Sequence, residues 1–195
     1  HGGKVLKLRR YNAERDWRHR RGVFTREQFD ALMEKAEERD PCYGVPGPDA
    51  AMLYYAAVYT GLRQSTLAKA RRSHFHVNKD NPDPGVQVTG DIEKQGRPRF
   101  VQLPVLAAAK LRAYFAFKAP DAAAFIVPPH KWQYILMLKT HLRAAGIEYC
   151  QQEIGAEGQI RRRNVLDFHA LRTTFINRLC WSGADAKTIQ ELAGH

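Results

Sequence analysis

The stretch "DFHALRTTF" sets a histidine and an arginine three positions apart in an otherwise apolar run. On a helix, positions i and i+3 lie on one face, so His169 and Arg172 point into the same space. Burying either without a partner is costly, and an anion would suit the space between them. Three more residues have side chains that hold anions or move protons: Arg63 in "YTGLRQSTL", Lys94 in "EKQGRPRFVQLP" and His195 in "IQELAGH". Taken singly, all five have plain structural readings. Arg63 can cap helix carbonyls or reach solvent, and Lys94 can be an exposed turn lysine. His169 can bond a backbone group while Arg172 pairs with Asp167, and His195 can simply follow a helix-ending Gly194.

The elements that must carry these residues are legible in the pattern. Residues 1–22 hold eight Lys/Arg against two acids without a sustained amphipathic period, and they read as a basic arm or linker. The domain then runs over 23–195. Thr25 with Gln28 forms a capping box, and Phe29, Leu32, Met33 and Ala36 share one face of the helix that follows. After the Pro/Gly loop 40–49, "AAMLYYAAVYTG" is apolar almost all round and predicts a central buried helix ended by Gly61. Its tyrosines, Tyr54, Tyr55 and Tyr59, read as core. A short helix over "STLAKARR" follows. The period then changes to two in "HFHV", "GVQVTGDI" and "RFVQLP", three short strands with a hairpin across "EKQGRP". Four helices are expected over "VLAAAKLRAYFAF", "WQYILMLKTHLRAAG", "HALRTTFINRLCWSG" and "DAKTIQELAG", with 151–163 as a surface loop. The fold class is mainly α with a small three-stranded antiparallel sheet.

The chain of 195 residues carries 31 Lys+Arg against 20 Asp+Glu, a formal charge of +11. Such an excess favours a polyanionic partner, nucleic acid first. Neither a transmembrane run nor a secretory h-region is present, so a cytoplasmic, DNA-associated location is expected. Three scattered cysteines do not make a disulfide framework. There is no P-loop or dinucleotide fingerprint, so no cofactor is expected. His74 and His76 alternate on a strand, but without a Cys or carboxylate cluster no metal site is expected.

In order, spacing and flanking apolar residues, the boxes together resemble the tyrosine recombinase family, the phage-integrase-like site-specific DNA recombinases. "TGLRQSTL" resembles its first arginine box, "EKQGRPRFVQLP" its lysine hairpin, "HALRTTF" its His-x-x-Arg box and "IQELAGH" its Gly-His box. Lys94 lies 31 positions after Arg63, and His195 lies 23 after Arg172.

The resemblance implies that double-stranded DNA is cut and rejoined through a 3′-phosphotyrosyl intermediate, without metal or ATP. Arg63 and Arg172 would hold the non-bridging oxygens, Lys94 would protonate the leaving 5′-oxygen, His169 would act as base or proton relay and His195 as a further donor. Lys94, Arg97 and the run Arg161, Arg162 and Arg163 are candidate phosphate contacts. The family works as a homotetramer on paired sites. Its tyrosine lies beyond the Gly-His box, so the nucleophile is expected after His195, and the 195-residue chain is expected to bind DNA without covalent cleavage. The start at His1 and the end at "ELAGH" suggest a fragment of a longer protein.

Three positions depart from the family pattern: Thr66 stands where a glutamate is common, Thr173 where many relatives have histidine, and Ala193 where leucine is usual. The first puts in question how Arg63 is supported. The alternatives are a non-catalytic DNA-binding relative that regulates recombination, or a type IB topoisomerase-like enzyme.

Overall fold

A computed structural model describes residues 21–93, 98–154 and 160–193. Helix α1 (Arg26–Glu37) starts at the predicted capping box: Thr25 accepts from the Gln28 N–H, and Gln28 accepts from the Thr25 N–H, each at 3.1 Å. Its buried residues are Phe29, Leu32, Met33 and Ala36, the face read from the periodicity.

Helix α2 (Gly47–Thr60) is buried along nearly its whole length and packs on α1. It ends where Gly61 takes φ 61°, a left-handed geometry that disfavours a Cβ, and donates its N–H to Ala57 O. The turn leads directly into α3 (Gln64–Lys69), with Arg63 at its N-cap. Tyr54 and Tyr55 are buried, as expected of core residues, and Tyr59 packs against the core from the edge.

The three-stranded sheet is β1 (Phe75–His76), β2 (Gly85–Val88) and β3 (Arg99–Gln102), in that order and antiparallel throughout. Phe75 pairs with Val86, and Val86 with Val101, so one apolar row faces the core. Helix α4 (Val105–Tyr114) follows, and Phe75 meets Phe115 at 5.0 Å and Phe125 at 5.5 Å between ring centroids. Helix α5 (Lys131–Ala144) packs against α1.

Residues 151–163, predicted as a surface loop, contain an antiparallel hairpin instead: β4 (Gln151–Ile154) pairs with β5 (Ile160–Arg163). The segment has no apolar alternation, and a pairing held by main-chain bonds leaves none to read. Helix α6 (Phe168–Trp181) packs across α2, and α7 (Ala186–Ala193) lies against α6 and β3. The chain is thus a helical body around α2 with the sheet at one side. Among the described residues no helix is long and apolar enough to cross a membrane.

Candidate active site

The site is built around the Gly61 turn. Because Gly61 breaks α2, Arg63 emerges at the start of α3 with its side chain 20% exposed. Its Nη1 donates to Glu93 Oε1 at 2.7 Å. Glu93 sits in the segment leading out of β2, and its other oxygen accepts from Arg99 Nη1 on β3 at 2.8 Å. A buried carboxylate would ordinarily be pushed toward its neutral form. Here Arg99 and Arg63 outweigh burial and hold the Glu93 pKa below the usual value, so it is ionised at neutrality.

Arg172 comes from the second turn of α6 and is almost completely buried. Its Nη1 donates to Gly61 O at 2.6 Å, and its Nη2 donates to Ala193 O at the end of α7. Beside it, Arg99 Nε donates to Leu192 O at 3.2 Å. Two arginines therefore hold the last carbonyls of α7, where the helix dipole favours positive charge. Burial, with the charges of Arg63 and Arg99, pushes the Arg172 pKa down to about 10, which leaves it protonated at neutral pH.

Asp167 caps α6, accepting from the Ala170 N–H at 2.9 Å, and this sets His169 in the first turn. Arg21 Nε lies 3.2 Å from the other Asp167 oxygen. The His169 pKa is lowered, first by desolvation and then by the charges of Arg21, Arg172 and Arg63, against an opposing pull from Asp167. The residue as a whole remains exposed. A neutral imidazole at pH 7 is the form able to accept a proton.

Arg63 and His169 line one cleft of about 830 Å³, together with Ser65, Lys69, Lys131 and Tyr134. Tyr134 is not equipped to attack: it is buried, packed edge-on against Phe168, and burial pushes its phenol up to about 12. His169 and Arg172 leave α6 one turn apart, but the two side chains differ in depth. His169 is at the cleft surface, whereas Arg172 runs inward to the carbonyls of Gly61 and Ala193.

Lys94, Arg97 and His195 lie outside the described residues. Arg161, Arg162 and Arg163 are the last three residues of β5 in the second hairpin. His74 accepts from the Arg71 N–H at 2.9 Å and His76 lies against Phe100, so the pair does not converge on a shared point. Among the described residues no group of three metal-ligating side chains is present.

Reading the sequence missed Glu93 and Arg99. Both flank the lysine hairpin, and the signal that could have found them is an opposite-charge pair, Glu93 and Arg99, set on either side of "KQGRP".

The phage integrase family model matches residues 22–195. The chain belongs to the phage integrase family. The tyrosine recombinase XerC of Staphylococcus epidermidis is 27% identical over 175 residues, covering 88% of this chain and 52% of the relative. XerC of Listeria monocytogenes is 31% identical over 106 residues, covering 52% of this chain and 33% of the relative. The chain thus spans about half the length of the S. epidermidis relative.

The fold is that of tyrosine recombinase catalytic domains. The XerA recombinase crystal structure superimposes with a TM-score of 0.63 at 17% identity, over 90% of this chain and 57% of XerA. XerH bound to difH substrate, in a pre-cleavage complex, gives 0.60 at 15% identity, over 89% of this chain and 47% of XerH. A lambda integrase dimer on a COC′ core site gives 0.60 at 19% identity, over 91% of this chain and 58% of that one.

Proposed function

We propose that this integrase-family chain binds double-stranded DNA with a scissile phosphate in the cleft between Arg63 and His169, and that it serves strand cleavage and rejoining by a tyrosine recombinase. The observation that carries the reading is the union of Arg63 and Arg172 around a single turn. Arg63 follows Gly61 by two residues, and Arg172 grips the Gly61 carbonyl, so both charges are held against one place. A polyanion is the partner that such a preorganised pair of cations stabilises.

In the reaction, a tyrosine C-terminal to His195 in the parent polypeptide attacks phosphorus and releases the 5′-oxygen, leaving a 3′-phosphotyrosine. His169, neutral at pH 7, takes the phenolic proton. Arg63 donates to the non-bridging oxygens, and Arg172 adds its charge from behind the Gly61 turn. Lys94 gives its proton to the leaving 5′-oxygen, and His195 donates to the phosphate. Rejoining reverses these steps, so no external energy source is consumed. The Lys/Arg-rich sequence of residues 1–22 supports a role as a basic arm or linker ahead of the domain proper, residues 23–195. Lys94 thus meets the scissile phosphate while Arg97 and Arg161–Arg163 contact flanking phosphates, and the complete protein acts as a homotetramer on paired DNA sites in the DNA-associated fraction of the cell. That XerH and the lambda integrase were solved on DNA supports the choice of partner.

Two measurements test this reading. The affinity of the 195-residue chain for duplex DNA should fall steeply with salt, by about 0.9 logarithmic units per decade for each phosphate neutralised. A salt-independent affinity overturns it. In the parent polypeptide, Arg172→Ala should abolish the covalent DNA adduct seen on a denaturing gel while much non-specific binding remains. A normal rate of adduct formation would remove Arg172 from the mechanism.

A further inference from the structure

Helix α3 carries Arg63 at its start but has no acidic residue of its own, and Thr66 occupies its first turn with a buried hydroxyl that finds no partner among the described residues. The carboxylate that meets Arg63 comes from a distant element instead. Glu93 is 1% exposed at its side chain and divides its two oxygens between Arg63 at 2.7 Å and Arg99 at 2.8 Å. Arg99 reaches on to Leu192 O in α7, and Arg172 holds the neighbouring Ala193 O. One carboxylate therefore ties together the Gly61 turn, the sheet and the end of α7, and it immediately precedes Lys94 in the chain.

We infer that Glu93 is a positioning residue, which aims the Arg63 guanidinium into the cleft and, through Arg99, fixes α7 against the sheet. The inference rests on the proposed DNA-binding role of Arg63. The physical argument is geometric. An arginine at a helix start has several rotamers, and without a fixed partner it spends its entropy on reaching solvent. A buried, ionised carboxylate removes that freedom, since its bonds to both arginines are charge-assisted and directional. Because one oxygen serves each arginine, the carboxylate cannot follow Arg63 without drawing on Arg99. The aim of Arg63 is thereby coupled to the position of α7.

A double-mutant cycle on DNA affinity separates this from a structural role. Arg63→Ala is measured in the 195-residue chain with Glu93 present and in a Glu93→Gln background, by fluorescence anisotropy with a 20-base-pair duplex at fixed salt. With Glu93 present, Arg63→Ala should weaken binding about tenfold, the scale of one charge-assisted contact. In the Gln background the same change should cost less than about twofold, because Arg63 is no longer aimed.

An equal loss near tenfold in both backgrounds overturns the inference and leaves the DNA-binding role intact. No loss in either background overturns the role of Arg63 itself. A purely structural Glu93 would lower the melting temperature without changing the cost of Arg63→Ala. Should Glu93→Gln fail to fold, Glu93→Asp keeps the charge but withdraws it by one methylene. The cost of Arg63→Ala should then fall to about threefold or less, and an undiminished tenfold cost overturns the inference.

Discussion

Gly61→Ala tests the reasoning at the point where fold and site meet. The backbone at Gly61 has φ 61°, which costs a residue bearing a Cβ about 1 kcal/mol. A Cβ built there would lie 2.2 Å from Phe175 Cδ1 and 2.7 Å from its Cε1, where carbon atoms rest at about 3.5–4 Å. Phe175 is itself buried against the core, so its ring has to move into occupied space. Overpacking of this kind adds about 1–3 kcal/mol, for a total of about 2–4 kcal/mol. The same shift drags the Gly61 carbonyl away from Arg172 Nη1, so DNA affinity should fall together with stability. Urea unfolding followed by circular dichroism should show a lower midpoint with an unchanged slope. In a Phe175→Leu background the penalty should shrink by about 1–2 kcal/mol, since the clash is with the ring. A loss below about 0.5 kcal/mol for Gly61→Ala alone would refute both the turn geometry and its place beneath the site.

Two further outcomes are expected. His141 is buried with Nδ1 2.9 Å from the Tyr54 hydroxyl, and burial, then the charge of Arg39, lowers its pKa from 6.5 to about 4. The unfolded chain therefore takes up a proton that the folded chain refuses between pH 6.5 and about 4, and stability falls across that window as pH falls, by up to about 3 kcal/mol. Chemical denaturation at pH 7 and pH 4 should show a smaller acid loss in His141→Gln than in the parent chain, and equal losses would contradict the assignment. Thr25→Ala removes the hydroxyl that accepts from Gln28 N–H at 3.1 Å, and should cost about 1 kcal/mol in the same assay with no change in the salt dependence of DNA binding.

Much of the architecture was legible because its causes are local. The capping box at Thr25, the single apolar face of α1, the all-round apolarity of α2 and the glycine that ends it each express the preferences of neighbouring residues. Each appears where the pattern put it. The sheet was legible for the same reason, since Val86, Val88 and Val101 alternate inward on strands with matched register. The hairpin β4–β5 was not, because neither "QQEI" nor "IRRR" carries an apolar alternation that a sequence pattern would reveal.

The site divides along the same line. Residue types, order and spacing in the sequence by themselves determined the family and the candidate set Arg63, His169 and Arg172. Chemistry restricts which side chains can hold a phosphate, and helix periodicity places His169 and Arg172 on one face. Only the tertiary structure decided that Arg172 runs inward to the carbonyls of Gly61 and Ala193, residues 111 and 21 positions away, while His169 stays at the surface. It also decided that the support for Arg63 is Glu93, 30 residues distant, in place of a carboxylate on α3. A carboxylate's service to an arginine depends on a through-space distance of a few ångströms, and no local pattern encodes a distance between elements that meet only when the chain folds.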